Sequence, residues 1–253
     1  MSGADAVTAG AVWDQVVSRL GHIDLGLLDS SSLNATLIGS VVVGIILCAS
    51  SQAWGVFRIV VTVVHELGHA LIGLLTGRRL HGITVRRDMS GETVTSGRTR
   101  GPAMVVTSWF GYPVPGLVGI ALVGSASTGW AAPVIAILLL IMVFVLVMAR
   151  SWFTVFIFLV TTAALAALWW TAEPTLSTAV LIAFGVLLQL GGGRAVLSLI
   201  RDHRQGRTGH SDAAALARIT IVPPAVWLGS FGLVYALVLC GTGAVLAGFI
   251  PEL

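Results

Sequence analysis

His65, Glu66 and His69 fall within the string HELGHA at residues 65–70, inside an apolar run from about Val56 to Leu75. On a helix, positions four apart share a face, so the two imidazoles can serve one tetrahedral metal while Glu66 sits beside them as a base. That is the chemistry of water activation. A charged side chain at membrane depth costs about 2.5–3.5 kcal/mol on insertion scales. A satisfied polar cluster is the bland alternative, but three ionisable groups in five positions are a costly filler. A dication relieves the cost, because neutral imidazoles donate to it and the carboxylate stays close to positive charge.

A catalytic zinc takes three protein ligands and keeps one position open for water, so a further donor is needed. His81, Asp88, Glu92, Asp202, His203, His210 and Asp212 all lie in the basic connections on the same side. Two stand out. Asp212 sits in GHSDAAALARIT, where Ser-Asp begins a helical stretch leading to the last span, which would fix its side chain near the bilayer surface. Asp202 lies just past the sixth span. For either one, a helix cap or a solvated loop charge is the competing reading.

The elements that position these residues follow from composition. With 56% hydrophobic and 10% charged residues among 253, and a mean hydropathy of +0.96, the chain reads as an all-α polytopic membrane protein. About seven transmembrane helices are expected, near 36–50, 55–76, 102–124, 131–149, 151–170, 176–199 and 222–249. A short amphipathic helix is expected near Val7–Leu20, in a cytoplasmic segment 1–35 ahead of a membrane-embedded metalloprotease-like domain 36–253. Asp29 and the serines after it read as a cap to the first span. Between the second and third spans, HGITVRR and GETVTSGRTR flank the turn signal Asp88–Gly91, which predicts a small β-hairpin.

All fourteen basic residues are Arg, and under seven spans nearly all beyond the first stretch fall on one side, taken as cytoplasmic. This places the N-terminus inside and the C-terminus outside. A pI near 9.5 is then a topology signal, with anionic lipid head groups as partners and no nucleic acid. The direction of the second span puts His69 about 12 Å of helix rise from the cytoplasmic end. Cys48 and Cys240 lack ligand spacing and read as core residues. The segment WFGYPVPGLVG, 109–119, concentrates Gly and Pro in the third span and predicts close packing against the helix bearing the HELGHA string. Gly191–Arg194 should permit a second close approach or a bend.

The stretch VVHELGHALIGLLTGRRLHGITV, followed by strand-like residues and a Gly/Pro-rich helix, resembles the site-2 protease family of intramembrane zinc metallopeptidases. The SDA-x-x-LA-x-x-T pattern at Ser211–Thr220, with Pro223 and Trp227 after it, is similar to the short single-domain bacterial branch without a PDZ module. The resemblance covers roughly residues 55–230 and implies that His65 and His69 bind zinc and that Glu66 is the base. Many members take a third ligand from the Asp of an LDG motif, and Gly191 stands where that Asp would be. Either Asp212 or Asp202 replaces it, or the protein is a non-proteolytic relative.

The expected function is hydrolysis of peptide bonds in membrane protein substrates near the cytoplasmic face, with a catalytically inactive scaffold or chaperone as the alternative. A transporter is a weaker third reading, since no inverted repeat is visible. A strand edge on the hairpin would hold a substrate peptide in extended form.

Overall fold

The computed structural model describes residues 9–21, 30–207 and 211–249. Its helices are α1 (Ala9–Arg19), α2 (Ser30–Ala49), α3 (Ser51–Leu75), α4 (Pro102–Phe110), α5 (Pro113–Ser127), α6 (Ala131–Met148), α7 (Trp152–Thr171), α8 (Pro174–Arg204), α9 (Asp212–Ile219) and α10 (Pro224–Phe249). Strands β1 (Arg79–Val85) and β2 (Gly91–Ser96) lie between α3 and α4 and form one antiparallel ribbon. Asp29, part of the expected cap, lies outside the described residues. α1 falls where an amphipathic helix was expected.

By length and apolarity, α3, α6, α7, α8 and α10 are each able to cross a bilayer, and the pair α4–α5, bent by 59°, makes a sixth candidate. That is short of the seven expected. The described apolar stretch of α2, Asn34–Ala49, is too short to qualify.

α8 is the central post, and the directions of its neighbours can be read from it. α5 runs antiparallel to it, with Gly119 against Gly185 and Gln189, and Val123 against Gly185. α10 is antiparallel too: Tyr235 meets Gly192, and the Thr242 hydroxyl donates to Gln189 Oε1 at 2.9 Å. α2 instead runs parallel to α8. Thr36 and Gly39 share a groove with Thr175 and Ala179, Gly44 lies against Ala183 and Val186, and Arg194 donates to the Cys48 carbonyl at 2.7 Å. Strict alternation of spans predicts the opposite direction.

Two consequences follow from this pairing. Because α2 ends level with Arg194, α3 starts on the side where α8 ends, and α5 also sets out from that side. The whole segment 51–112 therefore begins and ends at one face, and α3 crosses α8 obliquely at Gly191, where an added Cβ would meet Val61 and Trp54. Hairpin and α6–α7 turn meet at this face: the Arg150 amide donates to the Ile83 carbonyl at 3.1 Å, and its Nε to the His81 carbonyl at 2.7 Å. Arg58 lies here as well, so Arg19 is the one Arg at the other end, donating to the Trp169 and Ala172 carbonyls at 2.6 and 3.2 Å. The N-terminal helix α1 thus meets the α7–α8 turn.

Local chemistry sets the ends of α3. The Ser50 side chain accepts from the Ala53 amide at its start. Gly77, with φ +78°, closes it: the Arg78 amide reaches the Gly73 carbonyl at 2.8 Å and the Gly77 amide reaches Leu74 at 3.0 Å. The apolar face of α3 packs Ile59, Val63 and Ala70 against Ile83, Val85, Val145 and Phe158, which locks helix, hairpin and α6–α7 together. A second cluster joins Val196 and Leu199 of α8 to Ala213 and Leu216 of α9 and to Phe231 and Tyr235 of α10. It fixes where α9 begins.

Candidate metal centre

The two imidazoles of α3 turn towards the first residue of α9. His65 Nε2 and His69 Nε2 are 3.1 Å apart, and Asp212 Oδ2 lies 3.3 Å from the first and 3.2 Å from the second. Among the described residues, these three form the group of His, Cys, Asp or Glu side chains able to share a cation. A tetrahedral ion with bonds of about 2.0 Å has ligand-to-ligand edges of about 3.3 Å, so the donor spacing fits zinc. The chemistry of the donors fits as well. His69 Nδ1 lies 2.8 Å from the Thr107 carbonyl, which can only accept, so the proton belongs on Nδ1 and the Nε2 lone pair faces the group. Asp212 Oδ2 is buried and has no partner of good hydrogen-bond geometry. Converging lone pairs with no donor between them are what a cation would relieve.

Asp212 is held there by its helix. Ser211 caps α9 by accepting from the Ala214 amide at 3.2 Å, and the buried side chains of Ala213 and Leu216 anchor the following turn in the core. Burial opposes the charge of Asp212; protonated imidazoles outweigh it and hold the carboxyl well below the ordinary carboxylate range, and a cation shared with the neutral rings would favour the carboxylate in the same way. It is ionised at neutral pH, as a metal ligand must be.

The other shortlisted donors go elsewhere. Asp202, at the end of α8, accepts from Arg207 Nη2 at 2.7 Å and is not among the converging atoms. Glu92 pairs with Arg86. Asp88 is exposed, and its carboxyl is kept below the usual range by the hydroxyl and amide of Ser90. His81 lies 2.7 Å from the Ser96 hydroxyl, and His203 sits on α8 outside the group. His210 lies outside the described residues. Gly191, where the resemblance would put an Asp, is filled by Val61 and Trp54.

Glu66 is 5% exposed and is set by the hairpin. The Thr93 hydroxyl lies 2.6 Å from Glu66 Oε2 and 3.0 Å from its main-chain carbonyl, while a Cβ added at Gly91 would collide with the Glu66 side chain. Glu66 and His65 line a cavity of about 230 Å³ with Met89, Ser90, Tyr112 and Gly192. Met89, at φ +65°, holds the hairpin tip in a left-handed turn, and the Thr62 hydroxyl donates to its carbonyl at 3.0 Å.

Sequence reading did not reach Thr93, Thr107, Gly111 or Tyr112 as individual residues. Gly111 and Tyr112 lie in the Gly/Pro-rich segment from which close packing was expected, and the α4–α5 break supplies it. An added Cβ at Gly111 would collide with His69 and His65. Tyr112 stacks on Phe231 at 5.0 Å and meets the His65 ring edge-on at 4.7 Å. Thr107 acts through its carbonyl, which leaves no mark on side-chain patterns. Gly111→Ala is expected to push both rings aside and weaken zinc binding about ten- to a hundredfold in chelator competition. Wild-type affinity would refute the close approach.

No curated protein and no solved structure matches the chain. The family model of Peptidase M50B-like proteins matches residues 38–242, which include both imidazoles, Glu66, Asp212, all of α3 to α9 and most of α10. With most of its length covered by that model, the chain belongs to the Peptidase M50B-like group of the site-2 protease family.

Proposed function

We propose that this protein is a zinc endopeptidase that cleaves membrane proteins near the cytoplasmic face, with His65, His69 and Asp212 as metal ligands and Glu66 as the general base. The observation that carries the reading is the meeting of three donor atoms from α3 and α9 at 3.1–3.3 Å beside a buried carboxylate. A zinc ion held by these residues would supply Lewis acidity to a water molecule and to the scissile carbonyl.

The chain's own groups do the rest. Thr93 engages Glu66 Oε2 and leaves Oε1 to take the proton of the attacking water and return it to the departing amine. A substrate helix must unwind first, because its carbonyls are occupied by its own hydrogen bonds. β2 runs beside Glu66 and offers a template along which the unwound segment can extend. Zinc content of the purified protein, and its loss in His65→Ala, test the metal assignment. A protein without zinc and indifferent to His65→Ala would support a catalytically inactive scaffold instead.

Thr93→Val is expected to lower kcat about ten- to a hundredfold with zinc content unchanged, because the base loses its orientation. Thr93→Ser should restore it. Equal rates for wild type and Thr93→Val would remove the hairpin from the mechanism.

The positive-inside rule makes the Arg-rich face cytoplasmic. The contact of Arg19 with the α7–α8 turn then supports an extracytoplasmic N-terminal helix, on the side where α10 ends. A protease-accessible tag at residue 1 in right-side-out vesicles checks this, and protection there would restore the cytoplasmic placement.

A further inference from the structure

Beyond the cavity at Glu66, and sharing Thr62, Met89, Ser90 and Tyr112 with it, opens a groove of about 720 Å³. Arg58, Arg194 and Arg201 line it. Arg58 donates to the Asp88 main-chain carbonyl, while Arg194 donates to the Cys48 carbonyl and lies 4.9 Å over the Trp54 ring. Neither guanidinium spends its charge on a carboxylate. Among the described residues, no ion pair involves Arg58, Arg194 or Arg201. Two acids share the lining: Asp202 is neutralised by Arg207, and the Asp88 carboxylate keeps its charge beside Ser90, which leaves the three Arg in excess. Positive potential is therefore focused in a concave site that continues into the catalytic cavity.

Resting on the peptidase reading above, we propose that this groove recognises an acidic side chain of the substrate polypeptide, close to the bond cleaved. The placement of the hairpin selects a peptide over a lipid. Gly91 and Thr93 flank Glu66, and the tip at Asp88–Ser90 forms the groove wall. An extended segment following β2 past Glu66 is delivered into the groove after about two to four residues, at about 3.3 Å per residue. Stacked and hydrogen-bonded guanidiniums are oriented in advance, which suits them to a carboxylate.

Binding separates this inference from the catalytic one. A fluorescent Val- and Ala-rich peptide carrying two Asp, and its Asn twin, are titrated against the Glu66→Gln protein in neutral detergent, and both are offered to wild type for cleavage. The Asp peptide should bind about tenfold more tightly than its twin, with the advantage shrinking at high salt and in Arg201→Gln and Arg58→Gln. Binding of the Asn twin reports that each variant is folded. Equal binding of the two peptides overturns the inference, even if both are cleaved. Arg-dependent preference without cleavage leaves it standing and removes the peptidase reading. If the Arg substitutions weaken only association with phosphatidylserine-containing nanodiscs and leave the peptide preference intact, the groove belongs to lipid and the inference fails.

Discussion

Glu66→Gln is expected to stop peptide hydrolysis while zinc stays bound. The amide keeps the shape of the side chain and can still meet the Thr93 hydroxyl, but it cannot take a proton from water. General-base catalysis contributes about a hundred- to ten-thousandfold, so the remaining rate should fall by that order. Metal analysis of the purified variant together with cleavage of a fluorogenic peptide in detergent gives both readouts. A variant that cleaves at the wild-type rate would mean that the proton is taken elsewhere.

Asp212→Ala should have a comparably large effect on the metal itself. Removing a direct ligand leaves two imidazoles on one helix, and retained zinc should fall from about one per chain to near zero after dialysis against a weak chelator. Asp202→Ala is the matched control: it breaks only the exposed pair with Arg207 and should keep its zinc. The opposite pattern would exchange the two aspartates. Leu216→Ala probes the same ligand from below, since emptying this buried anchor should cost about 2–5 kcal/mol and loosen α9. Thermal melting with and without zinc should show a lower Tm and a smaller gain from the metal.

The pair of ring nitrogens was legible in HELGHA because the spacing of a helix is a local property. The hairpin was legible for the same reason, in two β-branched runs around Asp88–Gly91, and so was the close packing of the Gly- and Pro-rich segment 109–119 on α3, though not the break within it. The choice between Asp212 and Asp202 was not, because both stand near helix termini in polar surroundings and nothing local separates them. Packing of Ala213 and Leu216 against α8 and α10 turns one aspartate inward, and Arg207 draws the other away.

Topology shows the same division. Hydropathy located the apolar helices, since burial in lipid depends on each segment's own composition. Their directions were inferred by alternation, which assumes that every apolar helix crosses. α2 breaks that alternation: it packs parallel to α8 through Gly44, so α3 starts level with Arg194 of α8. Likewise, no residue near Glu66 in the chain foretells Thr93 or Gly91, because a strand 25 residues or more away reaches it only when the hairpin folds back along α3. The sequence by itself determined the two imidazoles one helical turn apart, the carboxylate beside them and the apolar elements, all of which depend on neighbours within a few turns. Tertiary structure alone decided which carboxylate meets the two imidazoles, what holds Glu66 and the level at which α3 begins, because each depends on contacts between segments far apart in the chain.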